Sequence, residues 1–398
     1  MLPNPGSPSA PDSAYRRLAR ALDALPNRFP PAEDDSDLRL LAKIFSPQEA
    51  ALAADLLPEP EAPAHIAARL GRDVREVTGL LKEMVKKGQV TMGKTAQGRL
   101  GFGLLPFVVG IYEAQAGRID AEMARLFEEY YLQAYGGALK VQPQVHRVIP
   151  VGESIKNTME VRPFESVSDL VDGMQSWGVM DCICRKQKAL IGDPCQHPLD
   201  VCMVLSETPA AFQTGAGGLP IRSLSREEAH ATLQRAAQAG LVHCVSNNQR
   251  DLWYICNCCT CSCGILRGMA DLGIANVVAR SAFVNQVEAA LCANCGECLP
   301  GCQFDALSLD AELQVDAARC VGCGVCVPIC PQKALSLVRR PGENEPPLSE
   351  AAWRAARSQA RSVEYTSHAL NGGNAVIQTI ETLSAWPFSA IIRGDSRR

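Results

Sequence analysis

Two copies of one cysteine run, 28 residues apart, limit what this chain can become. Cys292, Cys295, Cys298 and Cys302 read C-x2-C-x2-C-x3-C, and Cys320, Cys323, Cys326 and Cys330 read the same. The repeat extends past the cysteines, since Asp305-Ala306-Leu307-Ser308-Leu309 is answered by Lys333-Ala334-Leu335-Ser336-Leu337. Steps of three residues bring successive thiolates round a curled loop, as binding to several corners of one compact anionic core requires. Such a core needs nearby backbone N–H donors and little side-chain bulk, and Gly296, Gly322 and Gly324 provide that freedom. Pro331 follows the second run, whereas Gln303 stands in the equivalent place after the first, where a more solvated turn is expected.

The spacing matches two-cluster bacterial ferredoxins, in which three cysteines of each run hold one [4Fe-4S] cluster and the fourth reaches across to the other. On this pattern Cys292, Cys295, Cys298 and Cys330 form one ligand set, and Cys320, Cys323, Cys326 and Cys302 the second. Zinc sites use paired C-x2-C units and do not explain two tandem runs of four.

The 398 residues have room for two or three domains, and the formal charge of −4 gives no polycation for nucleic acid. Eighteen cysteines in so long a chain, with no basic and apolar leader at Met1–Gly6, read as metal-bound thiolates in a reducing cytoplasm. Oxygen sensitivity is expected. The apolar stretch Phe102–Ile111 is short and holds Pro106 and two glycines, so no membrane span is expected.

The expected class is α+β and multidomain. Residues 1–36 read as a loose tail with a short helix at Tyr15–Leu25. Residues 37–105 read as a winged-helix-like domain. There, Ser46-Pro47-Gln48-Glu49 is a capping box, Pro63–Leu70 closes at Gly71, and Asp73 caps a helix running to Gly88. A hairpin follows at Val90–Met92 and Leu100–Phe102. Residues 106–284 read as a cysteine-rich α/β domain, 285–340 as the ferredoxin domain and 341–398 as an extension with a helix near Ser349–Arg361. In the middle domain an amphipathic helix is expected over Ile119–Tyr135, packing through Leu126, Phe127, Tyr130 and Tyr131. Strands are expected at Val148–Val151 and Val161–Phe164, and a capped helix from Ser225 to Gly240.

Ten further cysteines precede the ferredoxin runs. Cys182, Cys184, Cys195 and Cys202 form one group, and Cys256, Cys258, Cys259, Cys261 and Cys263 another, with Cys244 as a core residue between them. Thiolates at this density bind iron–sulfur clusters or zinc. In an extended chain Cys261 and Cys263 share a face while Cys258 and Cys259 oppose, so the segment serves either two sites or one with spare thiols. Cys182 and Cys184 read as neighbours on one side of a strand, with Arg185 placed to neutralise a cluster. The leading expectation is one further [4Fe-4S] cluster, with a zinc ion as the alternative. His197 reads first as a loop histidine before Pro198 that hydrogen-bonds locally, with a metal ligand in place of cysteine as the alternative.

The order of these motifs resembles a family of 4Fe-4S ferredoxin-type proteins from anaerobic and facultative bacteria and archaea. It runs from a winged-helix start through Cys182-Ile183-Cys184-Arg185, Cys195-x-His197-Pro198 and Val201-Cys202, then Ile255-Cys256-Asn257-Cys258-Cys259 and the paired runs. The resemblance covers about Leu38 to Arg340, and it departs from the family at Ser262, where a further cysteine is usual. It implies cluster binding and electron transfer with a redox partner protein. A redox-sensing regulator, using Arg72, Arg75, Lys82, Lys86, Lys87, Lys94 and Arg99 on DNA, is the second reading. An enzyme with an open iron site is the third, and a stand-alone enzyme is less expected than an electron-transfer subunit. Asp305, Asp310, Glu312 and Asp316 form an acidic patch suited to a basic partner. Gly215-Ala216-Gly217-Gly218 is a lone glycine turn and does not make a nucleotide site, so no flavin, NAD or ATP is expected.

Overall fold

Capping chemistry sets most of the N-terminal helices in a computed structural model that describes residues 13–213, 219–342 and 345–370. The helices are α1 (Ala14–Ala24), α2 (Ser36–Ile44), α3 (Pro47–Ala54), α4 (Pro63–Leu70) and α5 (Val74–Lys86). Ser46 and Glu49 cap α3 reciprocally, Gly71 ends α4 at φ +63°, and the Asp73 carboxylate accepts from the N–H groups of Arg75 and Glu76 to start α5. The antiparallel hairpin β1 (Val90–Lys94) and β2 (Leu100–Leu104) follows.

The described residues of the stretch expected as a loose tail, from Ser13 onward, pack onto the body of the protein. Its helix α1 buries Tyr15, Leu18 and Leu22, and contacts α3. This is the short helix expected at Tyr15–Leu25, its apolar residues at three- and four-residue spacing forming the face that packs inward.

Next come α6 (Tyr112–Ala114) and α7 (Ala121–Tyr130), extended by a π turn over Tyr131–Tyr135. Phe127, Tyr130 and Tyr131 are buried as expected, with Tyr112 and Phe127 stacked at 3.9 Å between centroids. After α8 (Gly136–Leu139), a six-stranded sheet is built from β3 (His146–Val148), β4 (Ser176–Met180), β5 (Cys202–Ser206), β6 (Arg222–Leu224), β7 (Val242–Ser246) and β8 (Tyr254–Cys258). Its order is β3-β7-β8-β5-β4-β6, and every pairing is antiparallel. The middle region is therefore α+β in character rather than the α/β expected. Helices α9 (Val167–Asp172), α10 (Ile183–Leu190), α11 (Arg226–Gln238) and α12 (Gly268–Asp271) attend it. The strand expected at Val161–Phe164 is instead a 3-10 turn, Pro163–Glu165, because Pro163 starts the turn and Glu165 accepts from the Arg162 N–H.

The C-terminal unit pairs β9 (Phe283–Val287) with β12 (Leu335–Arg339), and β10 (Leu307–Leu309) with β11 (Leu313–Val315). Strand β9 begins two residues before the expected boundary at 285. Last comes α13 (Glu350–Leu370), whose Trp353 and Arg357 are buried against the N-terminal half. Arg357 donates to the carbonyls of Pro26, Val141, Pro143 and Ala138. The largest apolar cluster runs from Tyr15 through Phe127 and Tyr254 to Val325 and Trp353. The glycine turn at 215–218 lies outside the described residues.

Candidate metal centres

The 28-residue repeat is also a geometric repeat. Asn294 and Gly322 have φ +54° and +71°, Gly296 and Gly324 both +75°, and Asp305 and Lys333 +46° and +53°. At the end of each run a backbone N–H reaches a thiol: Ala306 N to Cys302 Sγ at 3.2 Å, and Ala334 N to Cys330 Sγ at 3.3 Å. Asn285 Nδ2 adds a side-chain donor to Cys326 Sγ at 3.1 Å. Such N–H···S contacts are what an anionic cluster requires of its surroundings, so these loops fit the group. Gly322 also permits a close approach, since a Cβ there would lie 2.0 Å from the Phe283 carbonyl oxygen.

The thiols group as two sets: Cys292, Cys295, Cys298 and Cys330 line one shallow depression, and the charges of Cys323, Cys302 and Cys320 bear on Cys326. Burial is unequal. Cys295 is exposed and Cys292 half-buried, around a shallow depression closed by Leu313 and Pro331. The second quartet faces inward. Val151 N donates to the Cys323 carbonyl at 2.9 Å, Ser154 Oγ to that of Gly324 at 2.7 Å, and Ser281 Oγ to that of Gly322 at 2.7 Å. Burial pushes the Cys323 thiol up to about 12, and metal binding to it releases a proton.

The middle cysteines separate into two groups on opposite sides of the chain that leaves β8. Six line one internal cavity: Cys182, Cys184, Cys202, Cys256, Cys258 and Cys263. They perturb one another in a closed circuit, Cys182 with Cys184 and Cys202, Cys184 with Cys263, Cys263 with Cys258, Cys258 with Cys256, and Cys256 with Cys202. Thiol hydrogen bonds from Cys184 and Cys202 hold Cys182 well below the ordinary range against the opposing effect of burial. Cys182 and Cys184 do not lie on a strand: Cys182 is the N-cap of α10 and Cys184 sits in its first turn. Helix geometry brings them together instead of strand alternation.

Four other side chains capable of binding a metal converge outside this ring. Cys195 Sγ lies 3.2 Å from His197 Nδ1 and 3.8 Å from Cys259 Sγ, and Cys261 Sγ lies 3.8 Å from His197 Nδ1. His197 bonds locally to Cys195, as expected, and also lies near Cys261. One correction follows: Cys261 and Cys263 do not share a face. The chain turns after Cys258, and Cys263 N–H already donates helix-like to the Cys259 carbonyl at 3.1 Å. Cys244 is fully buried, as expected of a core residue, although it lies beside Cys258 and His146.

Arg185 sits between the two groups with only 2 % of its surface exposed. Its Nη1 and Nη2 each donate to the Asn257 carbonyl at 3.1 Å, and Nη1 lies 3.7 Å from Cys259 Sγ. Burial alone would lower its pKa, but interaction with Cys182, Cys259 and Cys202 raises it, so it stays a cation beside these sulfurs.

Several supporting residues escaped sequence reasoning. Asn257 Nδ2 donates to the Val201 carbonyl at 2.6 Å, tying β8 to the chain entering β5, and its place between two cysteines was the available signal. Arg267 pairs with Glu128 at 2.6 Å and lies over the Tyr131 ring, fixing the segment after Cys263 to α7. Glu113 lines both the thiol cavity and the apolar cavity beside it, and burial raises its carboxyl to about 7. Nothing in the local sequence marks it.

The 4Fe-4S binding domain family matches residues 313–336, the segment that carries Cys320, Cys323, Cys326 and Cys330. No curated protein and no solved structure matches the chain. The chain thus has a ferredoxin-type iron–sulfur region and the ligands for at least one [4Fe-4S] cluster. Among the described residues no helix is long and apolar enough to cross a membrane.

Proposed function

We propose that this is an electron-transfer protein with two [4Fe-4S] clusters in its C-terminal unit and a third in the six-thiol ring. Cys292, Cys295, Cys298 and Cys330 hold the outer cluster, and Cys320, Cys323, Cys326 and Cys302 the inner one. Four of the ring cysteines suffice for the third. Each such cluster carries one electron at a potential set by burial and by N–H···S contacts. The observation that carries this reading is the unequal placement of the two quartets: Cys302 and Cys323 pack against the core shared with the middle region, while Cys295 is exposed.

The residues therefore define an inside and an outside. Arg185 and the N-terminus of α10 supply positive potential to the ring, and Asn285 and Ala306 supply donors to the inner quartet. At the outer end, Leu291 is 52 % exposed beside Cys292, and Asp310 and Glu312 are exposed on the turn between β10 and β11. An acidic rim around an apolar spot suits brief docking of a basic redox partner. The DNA-binding reading is less well supported. Of its basic residues, Arg72 pairs with Glu76, Lys86 with Glu83 and Lys87 with Glu49.

Iron and acid-labile sulfide on anaerobically purified protein test the proposal. At least about eight of each are expected per chain, and roughly twelve with the ring filled. Cys330→Ala should disturb the cluster of Cys292, and Cys302→Ala that of Cys320, as read by electron paramagnetic resonance of the reduced protein. Full iron content in both variants would refute the crossed assignment.

A further inference from the structure

We infer that Cys195, His197, Cys259 and Cys261 hold one zinc ion, in a site separate from every cluster. The inference is independent of how many clusters the protein carries, because it rests on a different ligand set. Among the described residues these four bring all their ligand atoms within 4.8 Å of one another. A tetrahedral ion about 2.3 Å from each sulfur and about 2.0 Å from nitrogen sets sulfurs about 3.8 Å apart and sulfur and nitrogen about 3.5 Å apart. The observed separations are 3.8 Å between Cys195 and Cys259, and 3.2 and 3.8 Å from the imidazole to Cys195 and Cys261. Clusters of two or four irons spread their thiolates over several metal corners and do not suit so tight a set.

The donor chemistry agrees. Three thiolates and one imidazole are an ordinary closed zinc set, and with all four positions filled by protein no site is left for substrate. Three thiolates around a dication leave one negative charge, and the buried Arg185 guanidinium 3.7 Å from Cys259 Sγ balances it. The competing trio of His146, Cys244 and Cys258 has no fourth ligand among the described residues, and Cys258 belongs to the ring.

The ion would act as a staple. Cys195 and His197 come from the loop between α10 and β5, and Cys259 and Cys261 from the chain just after β8. That second segment also presents Cys258 and Cys263 to the ring, and its Thr260 N–H meets Gln303 of the C-terminal unit. Zinc has no redox chemistry. Its place here is to fix the edge of a redox site without competing for the electron.

Metal analysis of the anaerobic full-length protein should find one zinc per chain beside the iron. His197→Ala and Cys261→Ser should each lower zinc more than tenfold while iron stays unchanged. Cobalt bound in place of zinc should give the intense visible bands of a tetrahedral thiolate site, lost in both variants. If iron falls together with zinc in His197→Ala, His197→Cys decides the matter: retained zinc supports the site, and lost zinc overturns it. Wild-type protein without zinc, zinc that survives both first variants, or a single iron lost in place of zinc would also overturn it.

Discussion

The backbone N–H of Thr260 donates to Gln303 Oε1 at 2.8 Å, and the Gln303 amide also donates to the Gly240 carbonyl. One side chain thus joins the cysteine-rich segment after β8, the end of α11 and the loop carrying Cys302. A proline in this position would make neither contact. The departure from the ferredoxin pattern is a docking feature, not the solvated turn its polarity implied.

Removing that bridge should loosen the union of the two regions. Gln303→Ala leaves a half-buried N–H and a carbonyl unpaired, at a cost of about 1–3 kcal/mol. Gln303→Pro should behave alike, although it restores the usual motif. Anaerobic denaturant unfolding measures the loss, and the iron content of the folded variant should remain that of the wild type.

Asn285 offers a more local adjustment. Its Nδ2 donates to Cys326 Sγ, a contact that favours the more negative, reduced state of a bound cluster. Asn285→Leu removes a hydrogen bond worth about 1 kcal/mol, which for one electron corresponds to about 40 mV. The potential of one cluster should move down by about that amount in a redox titration, with the other unaffected.

The pair of Glu165 and Arg339 holds the middle region to β12 at 2.7 Å, with the Glu165 side chain 4 % exposed. Burial raises the Glu165 carboxyl, but the Arg339 guanidinium and the Arg162 N–H outweigh it and leave the pKa below the ordinary value. A carboxyl depressed on folding stabilises fully above its unfolded pKa, and the contribution is lost as pH falls through the lower folded one. Glu165→Gln should cost about 1–2 kcal/mol at pH 7, discounted because Arg339 is a third exposed. The difference from wild type should shrink below about pH 4, as read by unfolding midpoints.

How much of this was legible beforehand follows the range of each interaction. The paired cysteine runs are visible in local spacing, and the repeat of positive φ at Gly296 and Gly324 follows from residues that tolerate it. The caps at Ser46, Asp73 and Ser225 are equally local. The partition of the middle thiols is not, because it depends on Cys182 capping α10 and on the chain turning after Cys258. Neither event has a short-range signature, so Cys195 and Cys202, only seven residues apart, could not be assigned to different sites. Glu113 and Arg267 matter through partners far along the chain, and so read as ordinary charges.

Charge at the outer end should govern encounter more than affinity. Asp310 and Glu312 lie exposed on the turn after β10, whereas the Asp316 carboxylate already accepts from the N–H groups of Ala318 and Arg319, and Asp305 pairs with Arg319. Only the first two carboxylates are therefore left to face a partner across solvent. Rim charges act on association rate and its salt dependence, because screening removes their pull beyond about 10 Å at 0.1 M salt. Asp310→Asn with Glu312→Gln should slow electron delivery to a basic c-type cytochrome severalfold at low ionic strength. The gap should close as salt is added, and the cluster potentials should stay unchanged. Stopped-flow traces at several salt concentrations measure this. An equal rate for variant and wild type at low salt would move the docking face away from the turn between β10 and β11.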